Sequence, residues 1–341
     1  VYQERASEIW GEPFFPAAPA AKITLREKTM TKVTKFKRDM KRYGNLFPFY
    51  IPAAVFTIIF SYIPLAGIIL AFKENPSLIA EPPIQAVLHA DWVGLENFKE
   101  IFAYPEFITA LKNTLIISLM KIVITFPLPI ILALLLTETA HCYMKKPLEF
   151  VMYIPYFLSW SIVGGIFITI LKSDTGFFNN MLAALGVSRY PWLQSNASFR
   201  WTLVIMQIWK DVGWSAIVYV AAIAGLDTAT VEAARIDGAS KVQQITHVVL
   251  PGIMDTVAVM FILRFASLLD AGFEQIYVVY SGYVQDSGYI LGLYSYNLLI
   301  GTVKPEYGLS TAIGLFNSLV GFILTVGGNA LSKRFFHRSI W

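Results

Sequence analysis

The chain has 341 residues, 56% of them hydrophobic and only 15% charged. Soluble domains carry about 25% charged residues, so the composition excludes an ordinary soluble domain and points to an integral membrane protein. The formal net charge of +4 is modest, and the single cysteine, Cys142, excludes an internal disulfide or a cysteine-rich metal site.

Residues 1–46 are polar, and from Lys22 onward basic: Arg26, Lys28, Lys32, Lys35, Lys37, Arg38, Lys41 and Arg42. Their position just ahead of an apolar stretch argues for a cytoplasmic, lipid-facing role and against a nucleic-acid arm. The first span is expected at Phe47–Phe72, kinked by Pro52 and Pro64; a helical crossing needs about 20 residues. The next segment carries Glu74, Glu81, Asp91, Glu96, Glu100 and Glu106 and reads as an external loop. The second span, Phe107–Leu136, holds Lys121 near its middle. A lone charge at that depth costs on the order of 2.5–3.5 kcal/mol, so Lys121 should face protein or water. The return loop has Lys145 and Lys146 and belongs inside; its neighbours His141 and Cys142 have no further ligands nearby, so no metal site is expected.

Span three is expected at Phe150–Leu171, kinked at Pro155, and span four at Phe199–Ile223. After a loop at residues 228–251 comes span five, Gly252–Leu269, which could reach Tyr280 if tilted. Tyr289–Ile300 is too short to cross and reads as an interfacial or packed helix. Span six is Ser310–Leu331, where Gly314, Ser318, Gly321, Thr325 and Gly328 form a small-residue stripe. A basic tail, 332–341, with Lys333, Arg334 and Arg338, closes the chain inside. The fold expected is an all-α integral membrane protein with a transmembrane domain over 47–331, six spans, and both termini and the 228–251 loop in the cytoplasm.

That loop does not read as a loop. Ala233, Ile236, Ile245 and Val249 recur at helical spacing among Glu232, Arg235, Lys241 and Gln244. Gly238 can adopt a left-handed conformation and end one short helix, and Pro251 ends a second. Two short amphipathic helices under the membrane need a groove for their apolar face. Helices that rest on lipid headgroups are usually more basic and carry Trp or Phe; this segment has acids and no aromatic, which favours a protein partner.

Glu232-Ala233-Ala234, three residues, Gly238, nine residues, Val248, one residue, then Leu250-Pro251 resembles the coupling-loop signature of transmembrane subunits of binding-protein-dependent type I ABC importers. Val248 stands where that family usually has Ile. Trp92–Phe98 is similar to a segment of the maltose-type, sugar-importing members, and the whole looks most like their polysaccharide and oligosaccharide branch, alginate importers among it. The resemblance implies a helix-turn-helix loop, including Arg235 and Asp237, that docks into a cleft on a separate ATPase subunit. It implies a second membrane subunit, usually a different chain, two ATPase subunits that hold ATP and Mg, an external (periplasmic or extracellular) solute-binding protein, and a place in the bacterial inner membrane.

No G-x-x-x-x-G-K-[ST] loop, H-E-x-x-H helix or G-x-S-x-G elbow occurs, so the chain itself is expected neither to bind a cofactor nor to be an enzyme. Charged residues within spans mark a path by default. In span four Gln207, Lys210, Trp214 and Val218 share a face and Asp211 adjoins it; in span five Arg264, Ser267, Asp270 and Glu274 fall along one stripe. They form either interhelical ion pairs, Asp211 with Arg264 for example, or a water-filled cavity for a sugar. The resemblance places Trp214 near an aromatic substrate contact and Arg264–Ala271 near a second set. Lys121, Lys210 and Arg264 at membrane depth suit a carboxylate, hence an acidic, alginate-like oligosaccharide. Rival readings are a proton-coupled secondary transporter or ion channel, with Asp211 and Arg264 as gating charges, and a scaffold without cargo.

Overall fold

The long apolar stretches are helical in the computed structural model of the chain, which describes residues 43–44, 47–76, 81–138, 145–301 and 304–335. The basic segment up to residue 42, the His141–Cys142 pair and residues 336–341 lie outside the described residues. By internal contacts the chain divides into two units, 1–66 and 67–341.

Helix α1, Pro48–Phe72, is not a regular α-helix throughout. It widens to a π turn over Ile58–Tyr62 and tightens to 3-10 geometry over Ile63–Phe72. Pro64 has no N–H to give the ladder, and such a switch of hydrogen-bond register accommodates the gap. Next come α2, Glu96–Ala103, and α3, Pro105–Glu138. Pro105 and Glu106 open α3, where a missing donor costs nothing and a negative charge meets the positive end of the helix.

The third apolar stretch is two helices, α4 (Lys146–Phe157) and α5 (Trp160–Leu171), bent by 101°. The expected kink lay at Pro155; the break falls just after it, because Ile154–Phe157 tightens to 3-10 geometry and Ser159 caps α5 by accepting from the N–H of Ile162. Helix α6, Asn196–Ala224, runs unbroken for 29 residues. The loop helices are α7, Thr228–Ile236, and α8, Lys241–Gly252, which meets α9, Met254–Ala266, at a bend of 64°. The chain then turns through Ala271 at φ 50° and Gly272 at φ 83° into α10, Phe273–Val279. The expected continuation of span five toward Tyr280 is therefore a separate helix after a left-handed turn. Helices α11, Leu291–Ile300, and α12, Tyr307–Phe335, follow.

Helices α1, α3, α6 and α12 are each long and apolar enough to cross a bilayer, and the two bent pairs raise the number to six if each is one span. Among the described residues there is no β-strand, only an isolated bridge between Lys73 and Trp92. Apolar burial falls in three clusters. Ile117, Val163, Phe199, Leu203, Met206 and Ile276 join α3, α5, α6 and α10. Ile101, Phe107, Leu291, Tyr294 and Ile313 join α2, α3, α11 and α12, which makes α11 a packed helix. Ala133, Ala216, Tyr219, Ile223, Ile253 and Val257 bind α3, α6 and α9 just above the loop helices. On the stripe of α12, Gly328 and Gly321 lie against Phe265 and the Ala266 carbonyl of α9, while Gly314 faces open space.

Candidate functional site

The loop between α6 and α9 is ordered by its own side chains. Asp227 starts α7 by accepting from the N–H of Ala229 at 3.0 Å. Gly238, at φ 81°, ends it. The N–H of Ala239 reaches the Ala234 carbonyl at 3.0 Å and that of Gly238 reaches Arg235 at 3.2 Å, the paired bonds of a Schellman end. Ser240 and Gln243 then satisfy each other's backbone N–H in a capping box that opens α8. Gln244, buried, donates to the Ala239 carbonyl at 2.7 Å and fixes the angle between the two helices. Pro251 does not end α8, which runs to Gly252 and bends at Ile253. Lys241 ties the loop to the end of α3 through Glu138 at 2.7 Å.

Glu232, Ala233, Arg235, Asp237 and Gly238 are exposed, Ala234 and Leu250 half-buried, Pro251 exposed. Ile236 and Val242, one from each short helix, are 85% and 69% exposed. Their apolar surface is held by a rigid turn and has no cover among the described residues.

At membrane depth the structure separates residues that the sequence grouped together. Lys210 is buried and donates to the carbonyls of Tyr156 at 2.7 Å and Leu158 at 2.6 Å, with its ammonium over the rings of Tyr156 and Trp160. These carbonyls are freed by the break between α4 and α5, and a buried carbonyl without a donor is costly. Lys121, also buried, does the same after α9: it donates to the Ala271 carbonyl at 2.7 Å and to Oε1 of Gln275 at 2.6 Å. Gln275 in turn donates to the Leu203 carbonyl of α6 at 2.7 Å. Both ammonium groups are committed to carbonyl oxygens, that of Lys210 to backbone and that of Lys121 to backbone and the Gln275 amide.

Two adjoining cavities lie beside them. One, of about 100 Å³, is lined by Ser118, Lys121, Gln207, Arg264, Ser267 and Asp270, with Ala271 and Gly272 as a wall. The other, of about 150 Å³, shares Thr125, Phe126 and Arg264 with it and adds Trp214 and Tyr219. Trp214 stacks on Tyr156 with ring centroids 4.7 Å apart and stays 38% exposed. Lys210, Asp211 and Glu274 line neither cavity, and Glu274 is exposed on α10, turned away from the Arg264 stripe by the left-handed pair before it. Asp211 lies within electrostatic reach of Lys210, Arg264 and Lys121, but no ion pair joins it to Arg264 among the described residues.

Ser118, Gln275 and Tyr156 are the residues that sequence reasoning missed. Ser118 stands one helical turn before Lys121 and could have been found by spacing. Gln275 lies past Leu269, the expected end of span five, and Tyr156 contributes a backbone carbonyl, which no side-chain pattern reveals.

The sequence profile of a family described as "Binding-protein-dependent transport system inner membrane component" matches residues 143–337, which include the loop and both bent pairs. The "Polygalacturonan/rhamnogalacturonan transport system permease protein YteP" of Bacillus subtilis (strain 168) is 33% identical over 324 residues, 95% of this chain and 98% of the relative. "Protein LplB" of the same organism is 36% identical over 307 residues, 90% of this chain and 94% of the relative. Among solved structures, a bacterial ABC transporter involved in the import of the acidic polysaccharide alginate aligns with TM-score 0.78 and 33% identity over 88% of this chain and 99% of that one. A bacterial alginate ABC transporter in complex with an alginate pentasaccharide-bound periplasmic protein aligns with TM-score 0.77 and 32% identity over 89% of this chain and 99% of that one.

Proposed function

Since the chain belongs to the inner-membrane components of binding-protein-dependent transport systems, we propose that it is the permease subunit of an ATP-driven importer of an acidic oligosaccharide or polysaccharide. An external solute-binding protein delivers the cargo, a second membrane subunit completes the pore, and two partner ATPase subunits, with ATP and Mg, drive alternating access from the cytoplasmic side of the bacterial inner membrane. The observation that carries this reading is the loop α7–α8: a turn locked at both helix ends that presents Ile236 and Val242 uncovered by any described residue. Such a rigid apolar projection fits a groove on another protein. It biases the inward or outward state through contacts that differ between the two. Glu232, Arg235 and Asp237 supply polar contacts there, and Ala233 and Ala234 leave room for close approach.

Support for a charged cargo comes from two sides. YteP is named for polygalacturonan and the solved neighbours for alginate, both polymers of uronic acids. Within the chain, the Arg264 guanidinium faces both cavities and makes no hydrogen bond or ion pair among the described residues.

The reading is tested by reconstituting the full complex, and the chain without its ATPase subunits, in proteoliposomes supplied with labelled oligouronate and binding protein. Uptake is expected only with the ATPase subunits and ATP. Uptake by the chain alone would instead establish a secondary transporter or channel.

Gly238→Val is expected to separate hydrolysis from transport. The new Cβ meets nothing within 4 Å, so the strain is purely that of φ 81°, about 1–2 kcal/mol for a residue with a side chain and more for a β-branched one. ATP hydrolysis should persist while cargo moved per ATP falls; an unchanged ratio rejects the role of this turn in coupling.

A further inference from the structure

We infer that the 100 Å³ cavity between α3, α6 and the turn after α9 is a subsite for one carboxylate of the cargo, held by Arg264 and Ser118. In this subsite Gln207 and Asp270 accept from the hydroxyls beside that carboxylate. The inference rests on the proposed import of an acidic saccharide and adds which residues read its charge.

Three features point to a ligand. First, Ser118 is 4% exposed and its Oγ has no hydrogen-bond partner among the described residues, and neither does the buried Oε1 of Gln207. Buried side-chain oxygens are nearly always paired in native proteins, so two orphans on one cavity mark a place that something polar completes. Second, of the three cations at this depth, Lys121 and Lys210 are held by carbonyls, and the Arg264 guanidinium is not. A guanidinium matches a carboxylate with two parallel N–H bonds, which an ammonium cannot offer. Third, the wall is preorganised. Ala271 holds φ 50°, a conformation uncommon for a residue with a side chain, and persists because Lys121 grips its carbonyl and Gln275 anchors that grip to α6.

Size and charge narrow the ligand. The subsite is the smaller of the two cavities and is lined mainly by polar side chains, which suits a charged substituent. The ring belongs in the adjoining cavity of about 150 Å³, against Trp214, with Arg264 between the two. Asp270 on the same wall repels a second negative charge, so a carboxylate fits and a phosphate dianion does not.

The test uses the complete transporter in proteoliposomes and measures how well an oligogalacturonate and its methyl ester compete for uptake. Arg264→Gln should weaken the charged oligomer about tenfold or more, the scale of a charge-assisted hydrogen bond, and leave the ester within about twofold of its wild-type value. Ser118→Ala, a smaller change that keeps the fold if Arg264→Gln does not, should weaken the charged oligomer several-fold and the ester hardly at all. An equal loss for both competitors, or no loss for the charged one, overturns the subsite while leaving acidic import intact. If the wild-type complex takes up neutral oligosaccharide and ignores the oligogalacturonate, the acidic cargo itself is wrong and the subsite falls with it.

Discussion

A chain with Gly213→Ala is expected to lose about 3 kcal/mol or more of stability, since its added methyl makes the closest clash of any described glycine. The added Cβ would lie 2.0 Å from the Met152 carbonyl oxygen and 2.7 Å from its carbon. Those atoms are backbone, so no side-chain rotation relieves the clash, and α4 must move away from α6. Moving α4 pulls the Tyr156 and Leu158 carbonyls off Lys210. Thermal unfolding of the purified chain in detergent, with the folded fraction read by size exclusion, measures the loss. Gly165→Ala is the control, since its Cβ meets nothing within 4 Å. In a helix interior that change should gain up to about 1 kcal/mol. Equal behaviour of the two variants would refute the contact.

Lys210→Met is expected to cost about 2–6 kcal/mol, from about 1–3 for each of two carbonyls left without a donor. Methionine fills similar space and packs well against Tyr156 and Trp160, so the loss isolates the hydrogen bonds and the cation–π contact, with the ammonium 5.2 and 5.4 Å from those rings. The melting temperature in detergent should drop, while protein that still folds keeps its preference for charged over neutral cargo. A changed preference at unchanged stability would move Lys210 into the substrate path.

Much of the fold was legible because it follows from local chemistry. Six apolar stretches and the left-handed turn at Gly238 each depend on neighbours within a few residues, whereas Leu291–Ile300 read as interfacial or packed until its distant contacts with Ile101, Phe107 and Ile313 decided it. The interior was legible only in composition. That Lys121 and Lys210 need partners follows from burial cost, but the partners are carbonyls 150 and 52 residues away, set free by helix breaks. Pro155 hinted at one break, and nothing but Gly272 hinted at the other. Arg264 and Glu274 shared a helical stripe on paper because the turn at Ala271–Gly272 is invisible to a periodicity that assumes one continuous helix. Trp214 stacks on Tyr156 of α4 and lines the second cavity, and its stacking partner is likewise not legible from spacing.

The bend between α4 and α5 also constrains how the protein is made. Helix α5 has 12 residues, about 18 Å of rise against a hydrocarbon core of about 30 Å. It cannot rest in lipid as a lone crossing while the carbonyls at its start lack a donor. That donor arrives only with Lys210, on α6. The two segments are therefore expected to settle in the bilayer together, as a hairpin, and a chain ending before residue 210 to leave α5 without a stable place there.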